Sequence, residues 1–376
     1  MLPTSPLSDV SLADVLPSCL RSLGNGNESA KLSVPRAEST VLVLVDGLGA
    51  ANISQASGYL RLINSKLLES STIRTVFPST TASALASLVT GSLPSEHGIL
   101  GYRVWDESSG EFINQLSGLS KDAVTAGWLR CDTLMLNSDT RAPDTFVVSN
   151  PRFKDSSLTS LLYGNSVFCG ERSIEDRFSR VTELLSRGER GLFFVYVSEL
   201  DEAAHAHGVS SQQWFTRAEE LESALKTFLV SMPSSSNVVL TADHGVIDVK
   251  SSGHIDFGLG QEMLDVEAVG GEPRCIQVKL SPGADVELSI SRWEDAFGQD
   301  VTVLSADEVF GKYYGADRAS TELAVRKRTC DFYVFASDGK ALYDAREPSN
   351  PGRNMIGQHG GLTDAEMDIP FLVWSA

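Results

Sequence analysis

VLVLVDG, residues 41–47, is an unbroken run of five aliphatic residues closed by an aspartate and a glycine. Such a run reads as a strand buried on both faces, as strands of a parallel sheet are. Two more stretches share the same pattern, GLFFVYVSELD (191–201) and NVVLTADHG (237–245). Helical patterns such as WFTRAEELESALKTFLVSM (214–232) separate them, so the alternation predicts an α/β fold with a mainly parallel sheet. Ligands of open α/β sheets bind outside the carboxyl ends of the strands. Asp46, Asp201, Asp243 and His244 would converge there.

After Asp248 the texture changes. PRCIQVKL (273–280), ADVELSI (284–290), DVTVLS (300–305) and DFYVFAS (331–337) read as short strands, with SRWEDAFG (291–298) and ADEVFG (306–311) as helical pieces between them. These predict an inserted α+β cap over 250–345. PFLVWSA (370–376) reads as a last core strand, giving a core of 39–249 with 346–376 and an N-terminal helix and loop over 1–38.

A formal charge of −18 and a sequence pI of about 4.7 repel a polyanion, which argues against a nucleic-acid polymer as partner. A small phosphorylated substrate stays open, because bound metals can supply local positive charge. The five cysteines are odd in number, widely spaced and without a C-x-x-C pair, which fits a reducing compartment. No run approaches eighteen apolar residues, and the first twenty residues lack a basic segment before an apolar one. The expectation is a cytoplasmic protein with no membrane partner; its oligomeric state is not legible.

Asp201 and His205 lie four apart in SELDEAAHAHG, on one face of a helical turn, and His359 in GQHGGLTDAEMDI would complete a first metal site. Asp243 and His244, at a strand end opening into Gly245, would hold a second ion with Asp46 from the next strand. Mixed Asp and His ligands suit Zn²⁺ first, with Mn²⁺ or Fe next. Thr81 stands between a strand-like TVFP (75–78) and the helical stretch ASALASLVTG, where a helix N-terminus favours an anion and a metal-activated hydroxyl can act as nucleophile. Taken singly, Thr80 and Thr81 read as N-caps, Asp201 and His205 as a solvated pair, and His359 as a loop residue. Their joint occurrence is far more specific than any part.

These segments resemble the type I phosphodiesterase/nucleotide pyrophosphatase family of the alkaline phosphatase superfamily. The resemblance runs from about Val41 to Trp374 and rests on VLVLVDGLG, VFPSTTASALASLVTGSLPSEHGILGY, YVSELDEAAHAHG, TADHG and GQHGGLTDAEMDIPFLV. It implies an alkaline-phosphatase-like three-layer core. It also implies two Zn²⁺ ions, one on Asp201, His205 and His359, the other on Asp46, Asp243, His244 and Thr81, and a phospho-threonine intermediate at Thr81. Tyr102 stands where the family uses an Asn to hold the phosphoryl group, and its hydroxyl can donate to a phosphoryl oxygen. Ala82, Ser83 and Ala84 depart from the family's usual continuation after the nucleophile. The implied reaction is cleavage of a phosphodiester or pyrophosphate bond in a small, nucleotide-like molecule. A phosphomonoesterase, phosphonate hydrolase, phosphomutase or catalytically idle metal-binding relative would share the same core.

Overall fold

Ser39–Val45 is the middle strand of a seven-stranded sheet. From one edge the order is Thr72–Arg74, Asp368–Ser375, Ser236–Thr241, Ser39–Val45, Gly191–Val197, Thr145–Ser149 and Val167–Gly170. Each pairing from Ser236–Thr241 to Val167–Gly170 is parallel; Asp368–Ser375 runs antiparallel to both its neighbours. The computed structural model describes residues 10–25, 30–119, 127–135, 144–164 and 166–376. The N-terminal helix is Val15–Ser22, and residues 1–9 and 26–29 of the expected N-terminal segment lie outside the described residues.

All seven positions of Ser39–Val45 and of Gly191–Val197 are buried, as are all six of Ser236–Thr241. Uninterrupted aliphatic composition therefore has a structural cause: helices cover both faces. Ile174–Ser186 packs with Gln212–Ser231, while Val15–Ser22, Thr81–Thr90 and Ser157–Tyr163 form another packed group. Register sets the rim of the sheet. Val45 pairs with Val197 and Leu44 with Thr241, so three adjacent strands end at one level and release Asp46, Ser198 and Ala242 on the same rim.

Between the last two core strands lies a four-stranded antiparallel sheet in the order Val266–Glu272, Cys275–Leu280, Phe332–Ala336, Val301–Ser305. It has its own core, built on Trp293, Phe332, Ile276 and Val278. Two local expectations are corrected here. ADVELSI is not a strand: Val286–Phe297 is one continuous helix, capped by the Asp285 carboxylate, which accepts from the Leu288 N–H at 3.1 Å. Val286, Ile290, Trp293 and Phe297 recur at helical spacing and pack on the cap core, and that period wins over the short local alternation. TVFP (75–78) is not a strand either, since the edge strand ends at Arg74. Val266–Glu272 is a strand the sequence did not announce, because its two glycines mask the period.

The cap is tied to the core by a buried ion pair. The Arg274 guanidinium donates to the Glu366 carboxylate from Nε and Nη2, both at 3.0 Å, and both side chains are 0% exposed. Glu366 also accepts from the Gly361 N–H at 2.9 Å and the Thr363 hydroxyl at 2.7 Å, so its lone pairs are well used. Burial alone would raise this carboxyl, but Arg274 overrides it and holds the group below its ordinary 4.5. A depressed folded-state value means that the stabilisation is complete above about 4.5 and is lost as pH falls through the folded value. Arg274→Ala is expected to lose about 3–5 kcal/mol of stability at neutral pH by leaving an unpaired buried charge. Urea denaturation measures this, and the loss is expected to shrink in acid.

Candidate two-metal active site

Beyond the strand ends, six side chains form two groups. In one, a carboxylate or imidazole atom from each of Asp201, His205 and His359 lies within 4.8 Å of the others; in the other, the same holds for Asp46, Asp243 and His244. The groups adjoin, because the His244 and His359 rings stack with centroids 3.7 Å apart. Thr81 Oγ1 is 3.3 Å from His244 Nε2.

Local structure explains each placement. Asp201 and His205 share a face of helix Glu199–His207, which starts directly after its strand. Asp243 leaves the strand end with its Oδ1 accepting from the N–H groups of Gly47 (3.1 Å) and His244 (3.0 Å). The turn after it is held by buried Asn52, whose side chain accepts from the Val246 N–H at 3.1 Å and donates to the Val246 carbonyl at 2.8 Å. Position 245 needs glycine because any Cβ there would lie 2.0 Å from the Ala365 carbonyl oxygen. Thr81 opens helix Thr81–Thr90, all of it buried, and its small residues let the helix sit inside the core. The first N–H groups of a helix have no acceptor within it, so this end faces the site with free donors. Ser79 joins that helix to the His359 loop: its carbonyl accepts from His359 Nδ1 at 2.9 Å, and its hydroxyl donates to the Gly361 carbonyl at 2.8 Å.

The hydrogen bonds assign the tautomers. His205 Nδ1 meets the Gly357 carbonyl at 2.8 Å, His359 Nδ1 meets the Ser79 carbonyl, and His244 Nδ1 meets the Gly245 carbonyl at 3.3 Å. A carbonyl only accepts, so each Nδ1 carries a proton and Nε2 is the nitrogen available to a metal, as a lone pair in neutral His244 and His359 and in His205 once its second proton is lost. The carboxylates match: Asp46 Oδ1, Asp201 Oδ1 and Asp243 Oδ2 are buried without a hydrogen-bond partner. Orphaned carboxylate oxygens beside three imidazole Nε2 atoms fit two divalent cations of the kind that take mixed oxygen and nitrogen ligands.

Electrostatics points the same way. Burial, with Asp243 and Asp201 adding repulsion, pushes the Asp46 carboxyl well above the usual range, against the hydroxyl of Tyr196, which donates to it. Burial raises Asp243 to about 6. His244 and His359 are driven down by burial, to about 4 and about 3. His205 goes the other way, to about 9, since Asp201 outweighs its burial. Crowded carboxylates beside two imidazoles held unprotonated, those of His244 and His359, form a set that cations relieve.

Tyr102 is half-buried and lines the same cavity of about 610 Å³, together with Asp46, Thr81, Asp201, His205 and His359. The remaining histidines lie apart. His97 is buried; it accepts from the Ile99 N–H at its Nδ1 and donates from Nε2 to Ser87 Oγ at 2.8 Å, so it is a neutral packing residue. His207 is exposed, and His254 rests against Tyr343. Residues that the sequence did not single out are Tyr196, Asn52, Ser79 and Glu272. The last is a cavity-lining carboxyl without a hydrogen-bond partner that burial holds well above its usual range. Tyr196 had one visible signal, as the lone polar atom in the GLFFVYV run.

Comparison with known proteins fixes the class. The profile of the type I phosphodiesterase/nucleotide pyrophosphatase family matches residues 40–362. The chain belongs to that family, a family of metal-dependent hydrolases. Among curated relatives, ectonucleotide pyrophosphatase/phosphodiesterase family member 1 of Rattus norvegicus is 25% identical over 222 residues, covering 55% of this chain and 24% of the relative. Its Homo sapiens counterpart is 23% identical over 221 residues, 55% and 23% of the two lengths. The chain thus spans about a quarter of the length of these relatives. Phosphonoacetate hydrolase from Sinorhizobium meliloti 1021, in complex with phosphonoformate, shares the fold with a TM-score of 0.68 at 17% identity over 92% of both chains. Human ectonucleotide pyrophosphatase/phosphodiesterase 5 does so with a TM-score of 0.67 at 16% identity, over 90% of this chain and 88% of the other. The alkaline-phosphatase-like α/β core expected from the sequence is therefore the fold of this protein.

Metal uptake must expel the proton held by His205 below about pH 9, and below about pH 6 the one taken up by Asp243. Affinity for a divalent ion is therefore expected to rise with pH, most steeply in the acid range and levelling near 9. Competition against a chromophoric chelator measures it. His359→Ala is expected to lose one of two bound equivalents by elemental analysis.

Proposed function

We propose that the chain is a dinuclear-metal hydrolase cleaving phosphodiester or pyrophosphate bonds of a small, nucleotide-like substrate through a phospho-threonine intermediate. The observation that carries this reading is the placement of Thr81: at the first turn of a buried helix, its hydroxyl 3.3 Å from His244 Nε2 and lining the same cavity as residues of both three-residue ligand groups. Asp201, His205 and His359 would hold one ion, and Asp46, Asp243, His244 and Thr81 the other. The imidazole and carboxylate mixture favours Zn²⁺, then Mn²⁺ or Fe. When bound, the ions supply Lewis acidity that lowers the hydroxyl's pKa and offsets charge on the transferred group.

The chain's own residues do the rest. Thr81 Oγ gives up its proton and attacks phosphorus; the Oγ–P bond forms as the bond from phosphorus to the leaving oxygen breaks, and that oxygen departs with the electron pair and takes up a proton from solvent, balancing the one Thr81 released. Water then attacks phosphorus, Oγ leaves with its electron pair, and the released proton restores the hydroxyl. The N–H groups at the helix start hold a non-bridging oxygen, and the Tyr102 hydroxyl donates to another. Tyr196 keeps the Asp46 carboxylate oriented through the hydrogen bond its hydroxyl donates.

A second reading, a phosphonate hydrolase, is supported by the match over 92% of both chains to a phosphonoacetate hydrolase. Rates on bis-aryl phosphate, mono-aryl phosphate and phosphonoacetate separate the two readings. The five cysteines are all free, which supports a reducing, cytoplasmic setting as part of this proposal. No helix among the described residues is long and apolar enough to cross a membrane.

Thr81→Ala is expected to keep two metal equivalents and to lose at least about a thousandfold in turnover of a bis-aryl phosphate. Full rate in that variant would remove the covalent route. Tyr102→Phe is expected to cost roughly tenfold to a hundredfold through the lost donor.

A further inference from the structure

Two basic side chains, Arg103 and Arg152, line the cavity above the metal groups. Arg152 is already engaged: it donates to Glu202 and lies over the Phe153 ring, 4.5 Å from its centroid. Arg103 is not. Among the described residues its guanidinium meets no carboxylate and no hydrogen-bond acceptor, although acids outnumber bases 49 to 31 in this chain. The acids around the cavity find other partners or none: Glu202 takes Arg152, Asp344 takes Arg346 at 2.6 Å, and Glu272 is left alone.

The backbone that carries Arg103 is rigidly placed. Arg103–Asp106 pairs with Glu111–Asn114, Arg103 lying opposite Asn114, and the Tyr102 carbonyl accepts from the Gln115 N–H at 2.7 Å. Trp105 and Phe112 meet edge to face at 5.5 Å, and the cap crosses so closely that a Cβ on Gly270 would lie 2.0 Å from the Phe112 ring. Arg103 thus comes directly after the residue assigned to the phosphoryl group, is half-buried, and is held against the cap. A guanidinium stays charged at every physiological pH and offers five donors in a planar fork, which matches a carboxylate or a phosphate. It is not part of either metal group, so the transferred phosphoryl is already accounted for by other residues.

We infer that Arg103 is a specificity-determining residue that binds a second oxyanion, a carboxylate or a further phosphate, on the part of the substrate that is not transferred. The inference rests on the phosphoryl-transfer reading and narrows it to substrates that carry an anionic group beyond the reacting one.

The test is titration calorimetry on metal-loaded protein at a fixed free-metal concentration. The ligands are propylphosphonate, 2-carboxyethylphosphonate and ethane-1,2-bisphosphonate, in the wild type, Arg103→Gln and Arg103→Lys. The wild type is expected to bind a second-anion ligand about tenfold more tightly than propylphosphonate, as a charge-assisted hydrogen bond allows. Arg103→Gln is expected to bring that ratio to about one and Arg103→Lys to keep part of it. A larger gain for the carboxylate identifies a carboxylate-bearing substrate, and a larger gain for the bisphosphonate identifies a pyrophosphate-like one. Equal affinities in the wild type, no binding by any ligand, or an undiminished ratio in Arg103→Gln each overturn the assignment. Failure of the hydrolase reading shows separately, as absent turnover beside an intact binding ratio.

Discussion

Three carboxylates, those of Asp46, Asp201 and Asp243, are held close together in a buried space, each with one oxygen that meets no donor. Burying charge without partners is among the most costly arrangements a fold can contain. It persists here because the parallel strands around it leave little choice. Their carboxyl ends fall at one level, their side chains are buried throughout, and the turns beyond them are pinned by Asn52 and by glycine at 245. The stability of the core sustains a local arrangement that is unfavourable until cations are present, and that unfavourable arrangement is the chemistry.

The imidazoles obey the same logic from the opposite side. Each is fixed by a carbonyl at Nδ1, so Nε2 is the nitrogen left for a metal, already without a proton in His244 and His359 and freed in His205 when its second proton leaves. Those carbonyls belong to different segments: Gly357 before the closing loop, Ser79 before the helix that Thr81 opens, and Gly245 in the strand-end turn. The candidate metal-binding imidazoles of His205 and His359 are therefore each held by a neighbouring segment as well as by their own backbone. The closing loop is itself braced by Glu366, which bonds the loop N–H of Gly361 on one side and Arg274 of the cap on the other. The cap is coupled to the metal centre through that bridge, while Arg103 faces the cavity from a hairpin packed under the cap.

Much of this was legible in the chain before any coordinates. Aliphatic runs ending in Asp46, before Asp201 and in Asp243 read as central strands, because they are short, largely β-branched and continuous, as strands covered on both faces are. The spacing of Asp201 and His205 specifies a shared helical face, and the Thr81 stretch carries its own helix signal. The cap was read less well, for physical reasons. ADVELSI alternates over seven residues and looks like a strand, yet the Asp285 cap and the Val286, Ile290, Trp293, Phe297 stripe make it helical once Trp293 has a core to enter. Val266–Glu272 stayed hidden because Gly270 serves close approach to Phe112, Gly271 close approach to the neighbouring strand, and the pair leaves no apolar period to see.

What the sequence determined on its own is the set of chemical groups and the elements that carry them, since both depend on local patterns of residue type. What only the tertiary structure decided is which groups meet and in what protonation state. The pairing of Asp46 with Asp243 across nearly two hundred residues, the Nδ1 partners that turn three histidines toward one space, the isolation of Glu272 and the lone guanidinium of Arg103 are all set by chain segments that pack together without any sequence proximity. Hydrogen bonding and burial at a point depend on everything that surrounds it, and a linear pattern does not carry that information.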